Sequence, residues 1–482
     1  MIDFRPILLV IGILLTTLAV AMLLPAVVDG AHGNADWKVF LISALVSLFI
    51  GVCLVLVNRT GPASLSVRQA FLLTALSWTV ITAVGALPFY FSDLGLSYTD
   101  AFFEAMSGLT TTGSTVIVGL DDAPPGILLW RALLQWLGGI GIIVMAVAVL
   151  PMLQIGGMEI FRTESSDQSE KVLPRAAQIA GAIGVIYLVL TVINGLCYWA
   201  AGMTVFEAFC HAMTTIATGG YSTSDASIGH FDDTAIQSVA MIFMVLGSLP
   251  FVLYLRAVRG GWRALVTDSQ IQWFFGIAIA AIVAMSGWLW LAQGWDADNA
   301  LRDGAFNSLS IMTGTGYSAG DYNVWGPFCI ALFLFLMFVG GCTGSTTGGI
   351  KVFRFQIAYT TARIQILHLL QPHGVFAAHY NRKPIPEGVA PAVMGFFFLF
   401  VVCLVALTLA LSMFGLDYLT SLSGAATALA NVGPGLGSVI GPAGSFAPLP
   451  DGAKWLLSFG MLLGRLELFT VLVLFMPSFW RR

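Results

Sequence analysis

Residues 312–321 read MTGTGYSAGD, a polar, glycine-rich stretch between two strongly apolar segments. Similar stretches occur at 102–116, 206–223 and 422–439. One register aligns the copies, because a glycine follows ten residues after a phenylalanine or, in the last copy, a serine: Phe103 and Gly113, Phe209 and Gly219, Phe306 and Gly316, Ser423 and Gly433. Self-similarity of this kind indicates a structural unit repeated four times.

The composition indicates lipid as the main solvent of this chain. It is 58% hydrophobic and 10% charged, whereas soluble domains carry roughly 25% charged residues. A spanning helix needs about 20 apolar residues, and we expect ten spans, of which 328–340 is short. The first exceeds the roughly 7–15 residues of a signal-peptide core and is predicted to be retained. The stretches are 7–28, 39–57, 70–91, 127–150, 177–200, 236–255, 271–292, 328–340, 391–414 and 455–477.

The charges alternate between connections. Basic residues collect in every second connection and at the C-terminus, and acidic residues collect in the others. Basic connections stay in the cytoplasm, so both termini are predicted to be cytoplasmic. Lys38, Arg131, Arg302 and Lys454 break the pattern. The six cysteines form no CxxC pair, which indicates neither a zinc site nor a disulfide framework.

Each repeat places a short amphipathic segment and a glycine-rich loop between two spans. Glu104 and Glu207 are expected in first helical turns, where an acid complements the helix dipole. The predicted fold is an all-α polytopic membrane protein, with four helix–pore-loop–helix units around one central pore and an extra N-terminal helix pair. The predicted units are 1–62 for the pair, then 63–170, 171–265, 266–385 and 386–482.

Four such loops at one axis would suit a dehydrated cation. Non-helical backbone at membrane depth is tolerated only where protein buries it or water reaches it. Glycine tolerates positive φ, so successive carbonyls can turn towards the axis, and rings of carbonyl oxygens can replace the hydration shell of potassium. One loop alone could equally be an ordinary turn or a site of close helix packing. Four loops in a common register favour the pore.

These loops, together with WLGGIGIIV (136–144), GGCTGSTTGGIK (340–351) and GRLELF (464–469), resemble the Trk/Ktr/HKT superfamily of potassium transporters. The resemblance covers essentially the full chain and is closest to the bacterial Trk membrane subunit. It implies potassium uptake across the bacterial inner membrane, with the potassium ion bound and no organic cofactor. It also implies a homodimer in the lipid bilayer, separate cytoplasmic nucleotide-binding regulatory subunits and no nucleic-acid partner. The implied filter residues are Thr111, Thr112, Gly113, Thr218, Gly219, Gly220, Thr315, Gly316, Tyr317, Val432, Gly433 and Pro434.

The segment 340–351 interrupts a span with glycines, each of which costs a helix about 1 kcal/mol. Its Gly344–Gly349 spacing imitates a phosphate-binding loop, but Ile350 stands where the lysine should be. The resemblance implies a gating loop of Gly344, Ser345, Thr346, Thr347 and Gly348, contacted by Arg465. A charge within a span is expensive and usually functional. The alternative is a structural ion pair, although Glu467 would face elsewhere on a continuous helix.

Other functions remain as alternatives. A sodium-permeable or potassium–sodium cotransporting member of the superfamily fits the same features, because the loop with Asn431, Val432 and Pro434 departs from the others. An intramembrane enzyme would need HExxH, GxSxG or clustered acids, which the sequence lacks. A transporter with inverted repeats would show two halves, not four units. His211 is interpreted as a packing residue, His368, His373 and His379 as solvated, and Gly138 and Gly156 as packing or turn residues.

Overall fold

The computed structural model describes residues 2–59, 65–148, 172–381 and 383–481. These ranges are almost entirely helical, with one antiparallel pair of two-residue strands, His379–Tyr380 and Lys383–Pro384. The helices are Arg5–His32, Trp37–Val57, Val67–Gly85, Leu87–Phe91, Tyr98–Leu109, Pro125–Ala148, Val172–Ala200, Val205–Ile216, Thr234–Ser248, Phe251–Arg256, Ala264–Thr267, Ser269–Leu291, Ala297–Met312, Pro327–Val339, Val352–Leu370, Val389–Ser412, Tyr418–Ala430, Asp451–Arg465, Leu468–Leu472 and Pro477–Trp480.

Where the structure describes them, the ten predicted apolar stretches are mainly helical, but three of them do not form one long span. Within the described ranges, seven helices are long and apolar enough to cross a membrane, and two further stretches are bent helix pairs. The pair after Thr234 bends by 90°, and the pair after Asp451 bends by 115°. The stretch at 328–340 is a 13-residue helix, Pro327–Val339. Hydropathy reports which residues avoid water and not the path of the backbone, so these bends were not predicted.

The N-terminal helix pair packs at close range through two glycines. A Cβ added to Gly12 would lie 2.8 Å from the carbonyl oxygen of Gly51. Gly33, with φ 72°, ends the first helix and turns the chain into the second. Large apolar side chains such as Phe49, which is 71% exposed, cover the outside. An apolar exterior of this kind suits contact with lipid.

Four short helices lie between the long ones: Tyr98–Leu109, Val205–Ile216, Ala297–Met312 and Tyr418–Ala430. Each begins after a capping residue whose side chain accepts a backbone hydrogen bond, namely Ser97, Thr204, Asp296 or Asp417. Such caps satisfy the unpaired N–H groups of a first turn. The prediction for Glu207 is confirmed, since it completes a capping box with Thr204. The prediction for Glu104 is wrong, because Asp100 occupies the first turn and Glu104 lies deeper, fully buried.

The core is divided between the repeats. A large cluster of buried side chains surrounds the first short helix and extends to the last units, with Phe103, Trp130 and Leu457 among its members. A second cluster, around Phe274, Met285 and Phe333, packs the third unit. The predicted boundaries at 62/63 and 170/171 lie outside the described residues, as does Gly156, and the boundary at 265/266 falls within Ala264–Thr267.

Candidate functional site: a ring of four loops

The four short helices end in the same left-handed turn. Thr111, Thr218, Gly314 and Asn431 have φ of 53°, 50°, 73° and 54°. The following N–H group turns back to the helix, as in the bond from the Thr112 nitrogen to the Ser107 oxygen at 2.9 Å. A left-handed conformation costs a residue other than glycine roughly 1–2 kcal/mol. Such strain persists only where the surrounding structure enforces it, and it clusters at functional sites.

The loops after these turns contact one another in a closed ring. A Cβ added to Gly113 in the first loop would overlap the carbonyl oxygen of Gly219 in the second. A Cβ on Gly220 would overlap the oxygen of Thr315 in the third loop, and one on Gly316 would lie 2.8 Å from the nitrogen of Gly433 in the fourth. The ring closes because a Cβ on Gly433 would lie 3.1 Å from the Gly113 oxygen. Glycine is therefore required sterically between neighbouring loops.

The shared turn corrects the register of the second copy. A level of the ring is here the set of four residues that lie the same number of positions after this turn. The first level is Thr112, Gly219, Thr315 and Val432, and the second is Gly113, Gly220, Gly316 and Gly433. The predicted pairing of Phe209 with Gly219 is therefore wrong by one residue. Phe209 is 44% exposed, whereas Phe103 and Phe306 are fully buried and Cys210 takes the equivalent place at 3%. The helix end fixes this register, and the sequence does not mark that end clearly.

A buried ion pair supports the first and second loops. Arg131 Nε lies 2.8 Å from Glu104 Oε1, and Arg131 Nη1 donates to the Ser222 oxygen at 2.7 Å. Glu104 also accepts from the backbone nitrogen of Val116 at 2.9 Å. The guanidinium stacks on Tyr221, with Cζ 4.0 Å from the ring centroid. The pair thus fixes the backbone beyond both loops.

Three of the four basic residues that break the charge pattern are paired with acids. Besides Arg131, Lys454 pairs with Asp100, and Arg302 pairs with Asp303 at 2.9 Å. Each pair sits beside a short helix. Each of these cations neutralises a nearby acid, so the three exceptions are consistent with the alternation of charge along the chain.

Two backbone oxygens of the ring accept hydrogen bonds from side chains. Gln135 Nε2 donates to the Gly219 oxygen at 2.7 Å, and Ser114 Oγ donates to the Gly433 oxygen at 2.7 Å. The sequence analysis missed Gln135, Ser114 and the pair of Glu104 with Arg131. The sequence did contain a signal for two of these residues, because Arg131 and Gln135 are polar residues within the apolar stretch 127–150.

Tyr317 joins the second loop to the third through its side chain. Its hydroxyl lies 2.6 Å from Thr214 Oγ1 and 3.1 Å from Thr215 Oγ1, at the end of the second short helix. Its backbone oxygen accepts from Ser310 Oγ at 2.7 Å. The hydroxyl and the backbone oxygen of Tyr317 therefore both hold the loops together. Pro434 packs its ring against Gly316.

The segment predicted as a gating loop is non-helical and lies against the short-helix ends. The preceding helix stops at Val339, and the next begins at Val352. The hydroxyl of Thr346 lies 3.0 Å from the oxygens of Ile216 and Gly247, and it accepts from Thr218 Oγ1 at 3.1 Å. A Cβ on Gly348 would overlap the oxygen of Ala430. The Gly344 oxygen accepts from the Phe251 nitrogen at 2.9 Å. The segment therefore bridges the second and fourth units.

Arg465 reaches this segment, but not from within a continuous helix. Its helix ends there, and Glu467, with φ 61°, starts the bent continuation. Arg465 Nη1 donates to the Thr346 oxygen at 2.8 Å, while Nε and Nη2 find no partner in the described part of the chain. Glu467 pairs instead with Arg354 at 2.5 Å. An ion pair of Arg465 with Glu467 is therefore not formed, because the helix breaks between them.

His211 packs in the second short helix, with Nδ1 2.8 Å from the Glu207 oxygen and Nε2 2.9 Å from Ser222 Oγ. No group of metal-binding side chains is present among the described residues. Gly138 serves packing, since a Cβ there would overlap the oxygen of Leu109.

Comparisons with known proteins match the whole chain. It is 46% identical over 480 residues to the Trk system potassium uptake protein TrkI of Halomonas elongata, covering 99% of this chain and 97% of that one. It is 39% identical to the Trk system potassium uptake protein TrkH of Salmonella typhimurium, covering 99% of each. The crystal structure of the potassium transporter TrkH from Vibrio parahaemolyticus matches with a TM-score of 0.92 at 38% identity, covering 100% of both chains. The family model described as TrkH, cation transport protein, matches residues 37–482, so this chain belongs to that family of transporters and is not an enzyme.

Proposed function

We propose that this chain takes up potassium ions and that the ring of four loops is its selectivity filter. The observation that carries the proposal is the closed contact between Gly113, Gly219–Gly220, Thr315–Gly316 and Gly433. Backbone this close packed, without side chains between the loops, leaves carbonyl oxygens as the groups that can replace the hydration shell of potassium. The names of the similar proteins, which are potassium uptake proteins, support the same ion.

The four short helices assist the ion electrostatically. Each directs its C-terminal end to the ring, since the ring loops follow directly from Leu109, Ile216, Met312 and Ala430. The C-terminal end of a helix carries a partial negative charge of about one half. Four such ends around one point favour a cation, and their caps at the opposite ends hold the helices in place.

The gate in this proposal is the segment Gly344–Gly348 with Arg465. Thr346 joins the segment to the second short helix, and Arg465 donates to its backbone oxygen. A fixed positive charge where water is scarce repels a cation strongly, because the effective dielectric constant is low. Movement of the segment would have to carry it away from Thr218 before an ion could pass.

The second candidate function is transport of sodium, alone or with potassium. It is favoured by the hydrogen bonds to the Gly219 and Gly433 oxygens, which leave fewer free carbonyls than a ring of four identical loops offers. Asn431, Val432 and Pro434 further lower the symmetry. A less symmetric ring discriminates less strictly between ions, because it offers fewer equivalent ligands.

The proposed setting is the bacterial inner membrane, with both termini in the cytoplasm. The alternation of basic and acidic connections supports this orientation. We further propose a homodimer that works with separate cytoplasmic nucleotide-binding regulatory subunits. The similar proteins belong by name to Trk systems, which supports a multi-subunit assembly.

The test replaces ring glycines one at a time in purified protein reconstituted into liposomes. Gly113→Ser, Gly220→Ser and Gly316→Ser each add a Cβ at a positive φ and against a neighbouring loop, so the ratio of potassium to sodium flux should fall. Gly276→Ser is the control, because a Cβ there meets nothing within 4 Å. Gly138 is unsuitable as a control, since its Cβ would press on the first short helix. Equal effects at ring and control glycines would refute the filter.

A further inference from the structure

Gln135 holds the backbone of the second loop with both ends of its amide. The side chain is fully buried within Pro125–Ala148. Its Nε2 donates to the Gly219 oxygen at 2.7 Å, and its Oε1 accepts from the Tyr221 nitrogen at 3.0 Å. The two bonds flank Gly220, whose φ of 74° brings both backbone groups to the same side. The carbonyl of Gly219 is therefore directed at the Gln135 amide.

The side chain of Gln135 and the loop approach each other closely at Gly219. A Cβ added to Gly219 would overlap the Gln135 amide. A side chain at this position would therefore have to displace that amide. The three residues at the same level of the other loops, Thr112, Thr315 and Val432, carry side chains.

The same level of the other three loops lacks such a donor. Among the residues that the structure describes, none donates a hydrogen bond to the backbone oxygen of Thr112, Thr315 or Val432. At this level of the ring, three carbonyl oxygens thus accept no hydrogen bond from the described residues, and the fourth, that of Gly219, accepts one from Gln135. A hydrogen bond to a carbonyl both fixes its direction and competes with a cation for its lone pairs.

We propose that Gln135 is a specificity-determining positioning residue, which withdraws the Gly219 carbonyl from the ring and thereby lowers the preference for potassium over sodium. The inference rests on the proposed filter. The larger ion is satisfied by more oxygen ligands than the smaller one, so withdrawing one ligand disfavours potassium more. Gln135 itself does not touch the ion, since it acts through the direction of one backbone carbonyl.

The experiment compares Gln135→Met, an apolar side chain of similar length, with Gln135→Leu, a shorter one. Neither side chain can donate to Gly219, and neither adds a charge beside the ring. Both variants should raise the potassium-to-sodium flux ratio in liposomes by roughly two- to tenfold, the range that corresponds to one hydrogen bond. Gln237→Met is the matched control, a buried glutamine whose Oε1 has no partner in the described ranges, and it should leave the ratio unchanged.

The proposal is overturned if the potassium-to-sodium flux ratio stays constant or falls in folded Gln135 variants. Should neither variant fold, Ser114→Ala tests the same principle at the adjacent level, because it frees the Gly433 oxygen. An unchanged or lower ratio in that variant also overturns it. Gly316→Ser in the same preparation separates the two hypotheses. If that variant changes the ratio and the Gln135 variants do not, the filter stands and only the role of Gln135 fails.

Discussion

The ring of loops and the segment beneath it satisfy their buried polar groups differently. Around the ring, Glu104 and Arg131 neutralise each other, and their remaining bonds go to the backbone of both loops and to the hydroxyl of Thr115. Beneath it, Arg465 leaves two of its three guanidinium nitrogens without a partner in the described part of the chain.

The difference indicates which region moves. A fully bonded buried network is rigid, because every alternative conformation leaves a polar group unpaired. Unpaired buried groups raise the energy of the observed conformation and so reduce the free-energy cost of leaving it. The ring is therefore expected to stay fixed, while the segment beneath it changes conformation.

The largest effect is expected from breaking the ion pair behind the ring. Glu104→Gln leaves Arg131 buried without a countercharge, which typically costs about 3–5 kcal/mol. We expect this variant to lose most of its folded population, measured by thermal unfolding in detergent. Asp303→Asn is the control, since its partner Arg302 is 33% exposed and such pairs contribute at most about 1 kcal/mol. A Glu104→Gln protein as stable as the control would contradict the rigid ring.

A smaller effect is expected from loosening the segment beneath the ring. Thr346→Val keeps the shape but removes the hydroxyl that contacts Ile216, Gly247 and Thr218. Basal cation flux should rise severalfold, because each lost hydrogen bond contributes about 1 kcal/mol to holding the segment. Thr343→Val is the matched control in the same segment, since its hydroxyl has no partner in the described ranges. A rise in both variants would mean that the hydroxyl contacts of Thr346 do not hold the gate.

A third change separates the charge of Arg465 from its hydrogen bond. Arg465→Ala removes both and should increase the leak of cations, whereas Arg465→Lys retains the charge and should leak less. Flux of potassium into liposomes without any regulatory subunit measures the difference. If flux falls in the alanine variant while the protein remains folded, Arg465 supports the structure and is not a barrier.

The sequence predicted the features of the fold that depend on composition and repetition. It did not predict the features that depend on local backbone geometry. Composition and repetition predicted the apolar stretches and the four short helices. The approach of Arg465 to the segment Gly344–Gly348 was implied by the resemblance alone. The bend after Arg465 was not predicted, because Gly464 is the only helix-breaking residue near it in the sequence and the apolar pattern continues beyond it. The one-residue error at Phe209 arose because the second copy has two consecutive glycines, Gly219 and Gly220, and Cys210 in place of the phenylalanine, so only the end of the helix selects the register. Gln135 was missed since its partner is a backbone carbonyl, which no motif records.

The smallest effect is expected far from the ring, at the start of the fourth short helix. Hydrogen bonding from Thr420, whose backbone nitrogen donates to Asp417 Oδ2 at 3.1 Å, lowers the pKa of Asp417, which caps this exposed helix start. A carboxyl with a lowered pKa stabilises the fold above the ordinary aspartate pKa, and this contribution is lost as the pH falls through the lowered pKa. Asp417→Asn keeps a good cap but loses the charge, so it should cost only a few tenths of a kcal/mol at neutral pH, where water screens the exposed carboxylate. Unfolding midpoints of both proteins should differ slightly at neutral pH and converge in acid, while the potassium-to-sodium flux ratio stays the same. A changed ratio would show that the cap of this helix positions the ring as well, and that the rigid region extends to the outer helix ends.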